Sequence, residues 1–451
     1  MERRKFLLSL AAPALAQESR RPNILVLFSD DHRFDTIHAL NNPVIRTPNL
    51  DRLCARGTAF TQATIMGGNQ PAVCVPSRAM LMTGQSLYHA VAAFDGKRAF
   101  HLFPKHFAAH GYTTFGAGKW HNGPKLFQQA FQSGGPVMFG GMNDHYNTPV
   151  HAFNPSGEYP PEAATRSPKH SSELFADGLI GFLQSHDRNK PFCAYLAFTA
   201  PHDPRQAPPE WLAKYPPSGI KLPPNFLPQH PFDNGELEIR DEKLLPHPRT
   251  TEAVKQEIAA YYALISHMDH QIGRILDALD KSEHAANTVI VFAGDNGLAV
   301  GQHGLLGKQN LYEHSIRVPL ILAGPGIRRG RRSEALVYTY DIFPTLCQLA
   351  AIPVPATVEG TSFAGALQDS RFSGRSDTFH AYRGYMRAVR TPAHKLILTT
   401  VRGHTTRQLF DLKRDPWEMH NLADAQVEAP RVAELEAALR KWQERVDDPL
   451  R

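Results

Sequence analysis

Cys74, Pro76 and Arg78 stand at alternate positions in Cys74-Val75-Pro76-Ser77-Arg78, and a lone cysteine so flanked fits neither a zinc spacing nor a disulfide framework. On its own it reads as an ordinary buried thiol near a helix start, since free cysteine packs as a small hydrophobe. Two further clusters bear on what chemistry is within reach. Asp30-Asp31 follows the apolar run Ile24-Leu25-Val26-Leu27-Phe28, and Asp295-Asn296 follows Thr288-Val289-Ile290-Val291-Phe292-Ala293. Either pair alone reads as turn or cap residues. Two pairs at two strand ends, with the cysteine motif between them in the chain, could give one divalent cation oxygen ligands, which favours calcium or magnesium over zinc or copper.

These residues need elements to hold them. The two apolar runs read as buried strands, and open α/β sheets place their sites at the carboxyl ends of such strands. Through about residue 365 the chain alternates strand-like and helix-like segments, which predicts an α/β fold: a large, mixed but mostly parallel sheet sandwiched by helices. Thr47-Pro48 is a helix start, with Thr as N-cap, and Gly57 a stop. Pro76 to Met82 reads as a helix just after Cys74, whose amino end favours developing negative charge. Phe192 to Phe198 reads as a strand that delivers His202, and Ile316 to Ala323 as a strand soon after Lys308. Thr251 to Asp280 has the pattern of one long helix, with His267 and His270 as packing or surface residues. Pro-rich stretches at Phe153 to Pro168 and Pro201 to Pro248 read as surface loops over the site, where selectivity would be encoded. Composition turns loop-like from Pro353 to Asp377, which divides a domain over 22–365 from a smaller one over 370–451. In the latter, Thr378 to Thr400 and Gln408 to Leu412 read as short antiparallel strands, with an amphipathic helix at Ala429 to Val446.

At 451 residues the chain exceeds the usual single-core size, and 42% hydrophobic with 20% charged residues is the composition of a soluble globular protein. The net charge of +6 is compatible with an anionic substrate, while the lack of a Lys/Arg stripe with interleaved aromatics argues against nucleic acid. Arg328-Arg329-Gly330-Arg331-Arg332 reads as a solvated loop, and Cys54, Cys193 and Cys347 as buried free thiols. At the start, Arg3-Arg4-Lys5, the apolar run Phe6 to Ala16 and the A-x-A site at Ala14-Leu15-Ala16 make residues 1–16 a secretory signal that resembles the twin-arginine type. No later run is long enough for a transmembrane helix. The expectation is a periplasmic or secreted protein without stable membrane insertion, whose oligomeric state is not legible.

Cys74-Val75-Pro76-Ser77-Arg78 resembles the C-x-P-x-R signature of sulfatases. Gly118-Lys119-Trp120-His121 is similar to their G-K-W-H element and Pro201-His202-Asp203-Pro204 to their P-H-x-P element. Gly307-Lys308, Tyr312-Glu313 and Arg317-Val318-Pro319 resemble G-K-x-x-x-Y-E…R-V-P. Leu409-Phe410-Asp411-Leu412, Asp415-Pro416-Trp417-Glu418 and Asn421-Leu422 resemble the closing L-Y-D-L…D-P-x-E…N-L run. The resemblance, to sulfatases of the alkaline phosphatase superfamily, runs from about Pro22 to Asp424.

That resemblance implies a large α/β domain followed by a small four-stranded antiparallel sheet with a helix. It implies that a formylglycine-generating maturation enzyme oxidises Cys74 to formylglycine, whose hydrate attacks the sulfate ester. Asp30, Asp31, Asp295, Asn296 and modified Cys74 would hold one calcium, with magnesium as the alternative. Arg78, Lys119 and Lys308 would spread positive charge around the sulfuryl oxygens. His202 and Lys308 would protonate the leaving oxygen. His121 would take the proton of the second hydroxyl, so that the sulfated diol collapses to aldehyde and sulfate. Lys119 and His121, two apart on a strand-like tail, share a face. His303 in Gly301-Gln302-His303-Gly304, and Arg383 beside Tyr382, are substrate contacts at most. The substrate class expected is a sulfated saccharide, with aryl, choline or other small alkyl sulfates as alternatives. Phosphate or phosphonate ester hydrolysis is a second reading, although two zinc ions would need several histidines near the aspartates and Asn296 stands where a softer nitrogen ligand would be expected. A catalytically silent glycan-binding protein is a third, disfavoured because the nucleophile, both acidic pairs and the proton-transfer residues are all present.

Overall fold

A computed structural model describes residues 21–369 and 371–451, so the signal-like residues 1–16 lie outside the described residues. Its centre is an eight-stranded mixed sheet built around Asn23–Ser29, whose side chains are all buried. That strand pairs in parallel with Thr288–Gly294 on one side and Phe192–Ala197 on the other. A strand buried on both faces needs apolar residues at every position, which is why NILVLFS is a continuous run rather than an alternation. Thr113–Trp120 and Ser133–Phe139 continue the sheet in parallel beyond Phe192–Ala197. On the opposite side Leu320–Ala323 is antiparallel to Thr288–Gly294, followed by Gly57–Phe60 and the edge strand Arg331–Ser333.

Alternate side chains of Asn23–Ser29 feed two cores. Leu25 and Leu27 pack with Tyr261, Leu264 and Met268 of the helix Thr251–Asp280 and with Phe175 and Leu179 of Ser171–Ser185. Ile24, Val26 and Phe28 pack with Leu81 of the helix Cys74–Thr83, Phe103 and Phe107 of Phe103–Ala109, and Phe343 and Leu346 of Ile342–Leu349. The mixed sheet covered by helices on both faces is the expected fold class.

The small C-terminal sheet runs antiparallel through Thr378–Tyr382, Met386–Arg390, His394–Val401 and His404–Asp411. Leu435, Leu439 and Trp442 of the helix Ala429–Arg445 cover one face. These four antiparallel strands and their helix are the C-terminal sheet expected, with one addition. Gly67–Gly68, just ahead of Cys74, adds a fifth strand parallel to Ala381-Tyr382. On its other face Met386, Ile397 and Phe410 pack with Leu311, Tyr312 and Ile316 of the large domain.

Three local readings need correction. Glu313–Ile316 forms a short helix and the strand begins only at Leu320, because the backbone there turns to bury Glu313. Arg331 and Arg332 lie in an edge strand rather than a loop, bonded to the carbonyls of Asp369 and Ala39. Thr47 precedes the helix Pro48–Arg56 but makes no side-chain cap; its hydroxyl accepts from His38 N and donates to Asp51. Cys54, Cys193 and Cys347 are buried free thiols. Among the described residues no helix is long and apolar enough to cross a membrane.

Candidate active site

Register places the two acidic pairs together. Ser29 is opposite Gly294 in the parallel ladder, so Asp30-Asp31 and Asp295-Asn296 leave adjacent strands side by side. Asp295 Oδ1 accepts from the backbone N of Asp31 at 3.0 Å and of Asn296 at 2.8 Å. Asn296 Nδ2 donates to Asp31 Oδ1 at 2.7 Å and to Gly297 O, which fixes the amide and leaves its Oδ1 buried with no hydrogen-bond partner. Asp30 Oδ1 is likewise buried without a partner.

Cys74 opens its helix rather than preceding it and is 1% exposed. The helix direction carries Arg78, one turn on, between the two strand ends. Its Nη2 donates to Asp30 Oδ2 at 2.8 Å and its Nε to Asp295 Oδ2 at 3.1 Å. Sγ of Cys74 and one carboxylate oxygen each of Asp30 and Asp295 lie within 4.8 Å of one another, as do atoms of Asp30, Asp31 and His202. Burial would raise the Asp30 pKa, but Lys119 and Arg78 hold it well below the usual carboxylate range. Burial and the neighbouring Asp30 push Asp295 up, to about 7. Burial also raises the Cys74 thiol, so the sulfur is not a ready thiolate.

Lys119 and His121 arrive from Thr113–Trp120, and Lys119 pairs with Asp30. Gly118 makes this possible. It sits at φ +84, where the register slips against Ser133–Phe139, and a Cβ there would overlap the carbonyl of Ala197. Nδ1 of His121 lies 3.2 Å from Sγ of Cys74. Burial and then Lys119 lower the His121 pKa to about 3, which keeps the imidazole neutral. Nδ1 of His202 donates to Asp203 O at 2.8 Å, which leaves Nε2, 3.5 Å from Asp31 Oδ2, as its exchangeable position. Lys308 Nζ donates to Asp31 Oδ1 at 2.7 Å; burial opposes its charge, but Asp31 holds it protonated.

Cys74, His121, His202 and Lys308 line one cavity of about 220 Å³. Its remaining wall includes Gly141, Met142, Ile239, Arg240, Asp241 and Gln309, none of which stands at a specified position of the motifs above. The loop over 201–248 thus supplies part of the wall. Phe153 and Tyr159 instead pack on Phe127, at the edge of the large sheet. Arg383 bonds Glu236 and is not among the cavity's lining residues. His303 is also outside it, stacked on Tyr312 at 4.0 Å with Nε2 against Asn225. Sequence reasoning also missed Tyr195, whose hydroxyl accepts from Arg78 at 3.3 Å, and Tyr261, whose hydroxyl donates to Asp31 O at 2.6 Å. Each lies in an apolar stretch with nothing to distinguish it from core.

The donor set suits a hard divalent cation: buried carboxylates and an amide oxygen, two of those oxygens without donors, and cations nearby to hold an anionic ligand. The arrangement can polarise a tetrahedral oxyanion, present a residue-74 nucleophile to it and move protons through two imidazoles.

Comparison with known proteins agrees with that chemistry. The family model described as "Sulfatase" matches residues 22–352, and that described as "N-sulphoglucosamine sulphohydrolase, C-terminal" matches 301–445. A sulfatase of Formosa agariphila is 29% identical over 460 residues, covering 94% of this chain and 87% of that protein. An N-acetylglucosamine-6-O-sulfatase of Bacteroides thetaiotaomicron is 27% identical, covering 98% and 91%. A structure solved in complex with its substrate D-glucosamine-2-N,6-O-disulfate superposes with a TM-score of 0.79 at 25% identity, covering 95% of this chain and 99% of that one.

Proposed function

The chain belongs to the sulfatase family and is a sulfuric ester hydrolase, and on that premise we propose that it removes sulfate from a sulfated carbohydrate through a formylglycine derived from Cys74, beside one calcium. Asp30, Asp31, Asp295, Asn296 and modified Cys74 would hold the cation. When bound, such a cation supplies Lewis acidity, drawing charge from sulfate oxygens and lowering the pKa of a coordinated hydroxyl. The observation that carries the reading is the pair of buried oxygens without donors, Asp30 Oδ1 and Asn296 Oδ1, in the cluster around Cys74. Magnesium is the alternative ion.

The chain's own groups divide the remaining work. Arg78, Lys119 and Lys308 hold positive charge where sulfuryl oxygens would gather. His202, with Nδ1 committed to Asp203 O, offers Nε2 to the leaving oxygen, and Lys308 is a second donor there. Neutral His121 accepts the proton of the residue-74 hydroxyl that does not attack, which allows sulfate to depart. The names of two relatives support a hexosamine sulfate, and arylsulfatases among the similar proteins keep an aryl ester as the alternative. The Arg3-Arg4 start and the apolar run after it support export to the periplasm or beyond.

Protein co-produced with a formylglycine-generating enzyme tests this. Sulfate release from defined O-sulfated hexosamines, the mass of the Cys74 peptide and the metal content are measured on one preparation. The expected outcome is turnover, an aldehyde at residue 74 and one calcium per chain. Full activity with an unmodified thiol, or with two zinc ions and no calcium, would overturn the mechanism.

A further inference from the structure

Residues 234–249 form a strap pinned at four points. Glu236 accepts from the Tyr382 hydroxyl and from Arg383 in the small domain, at 3.0 and 2.6 Å. Glu242, 4% exposed, accepts from the backbone N of Leu306 and Gly307 at 3.0 and 2.8 Å and from Arg249 at 2.6 Å. Arg240 forks onto both carboxylate oxygens of Asp203, next to His202. Asp241 accepts from Gln309 Nε2, next to Lys308, at 2.7 Å. The strap therefore supplies Ile239, Arg240 and Asp241 to the cavity wall and cannot shift without disturbing the loops that carry His202 and Lys308.

The character of that wall is lopsided. Arg240 also donates to Asp241 Oδ1 at 3.1 Å, so one guanidinium is shared by two carboxylates, Asp203 and Asp241. Lys308 is already engaged by Asp31. Gln309, 4% exposed, spends its Nε2 on Pro71 O and Asp241, and its Oε1 is buried with no donor. Beyond the sulfate-binding centre the wall thus presents the Asp241 carboxylate and a guanidinium shared by two carboxylates, a net negative charge, together with apolar Met142 and Ile239, while Gln309 Oε1 is itself buried. Acceptors suit hydroxyl and amide N–H groups, whereas a second anion there would meet like charge.

We propose that this wall is the leaving-group subsite, that it takes a hydroxyl-bearing sugar ring carrying no anionic group besides the sulfate to be removed, and that Asp241 is the specificity-determining residue. The inference rests on the carbohydrate reading above and adds the charge of the ring. The cavity of about 220 Å³ is the space that would receive the ring.

Matched substrates test it: N-acetylglucosamine against N-sulfoglucosamine with an O-sulfate at the same position, and galactose against galacturonate likewise. The wild-type enzyme is expected to favour the singly charged member by at least about tenfold in kcat/KM, the scale of one like-charge contact. Asp241→Asn is expected to narrow that preference about tenfold, chiefly through KM. Asp241→Glu, which keeps the charge, should retain it even if overall activity falls. Equal or greater activity on the doubly charged members in the wild type would overturn the proposal, whatever the variants do. Hydrolysis of 4-nitrophenyl sulfate with no sugar turned over would overturn it together with the carbohydrate reading. A singly charged preference that Asp241→Asn leaves intact would overturn the role of Asp241.

Discussion

Nδ1 of His121 stands 3.2 Å from Sγ of Cys74, although 47 residues separate them and one follows a strand while the other begins a helix. A neutral imidazole at that distance is placed to receive a proton from whatever replaces the thiol. It has no use for a residue that carries only one hydroxyl once that hydroxyl has attacked.

This yields the first prediction. Cys74→Ser should support at most about one turnover, because a serine sulfate has no second hydroxyl for His121 to deprotonate and the two halves of covalent catalysis are separable. Rapid-quench release of the desulfated alcohol and the mass of the residue-74 peptide would show a single burst of alcohol, almost no free sulfate and an accumulating sulfated serine. Sustained turnover with serine confirmed by mass would mean that water resolves the intermediate directly.

His202→Ala should separate substrates by leaving group. Loss of a general acid costs about 10²- to 10⁴-fold where an alkoxide must depart, and little where the leaving phenolate is stable. Parallel kcat/KM measurements on a sugar sulfate and on 4-nitrophenyl sulfate would show the contrast. Equal losses on both would assign His202 to binding instead.

Much of this site was legible in the sequence, and the reasons lie in particular residues. Asp30-Asp31 and Asp295-Asn296 could be read because each ends an apolar run that only a buried strand explains, and the parallel register then brings them together. Arg240, Asp241 and Gln309 could not. They are ordinary polar residues in and beyond a proline-rich stretch, and their position depends on contacts with Asp203 and with the segment that carries Lys308. His303 was read toward the substrate because it lies close in sequence to Asp295, but the ring turns to stack on Tyr312. Local spacing carries no information about that choice.

The Tyr312-Glu313 and Asp415-to-Glu418 motifs, whose resemblance alone gave them no role, meet at Lys395. Glu313 accepts from Arg390 at 2.9 Å and from Lys395 at 3.1 Å, Glu418 pairs with the same lysine, and Glu418 Oε2 accepts the backbone N of Glu313 at 2.7 Å. Burial would raise the Glu313 pKa, but Arg390 and Lys395 hold it well down. Glu313→Ala should therefore destabilise the fold by about 3–5 kcal/mol, since buried Arg390 loses its carboxylate partner and Lys395 is left with Glu418 alone. Urea unfolding would measure it, and a loss under about 1 kcal/mol would contradict the role as a tie between the two domains.

A pH effect on stability should come from His89. Its hydrogen bond to Glu359, aided by one to Asp447, raises its pKa above the ordinary 6.5. A histidine raised in the folded state contributes stability that is complete below the unfolded pKa and lost as pH climbs through the folded one. The urea midpoint of the native protein should thus fall, as pH rises above the ordinary 6.5, more than that of His89→Gln. Parallel pH dependences for the two proteins would remove His89 as the cause.

The two-residue ladder between Gly67-Gly68 and Ala381-Tyr382 also sets a clock. A ribosome making about 5–20 residues per second needs on the order of tens of seconds to travel from the cysteine codon to Ala381-Tyr382, without which the ladder cannot form. During that interval the thiol is open to any enzyme that would oxidise it. In the complete fold Cys74 is 1% exposed, and further change at residue 74 belongs to the substrates the cavity admits.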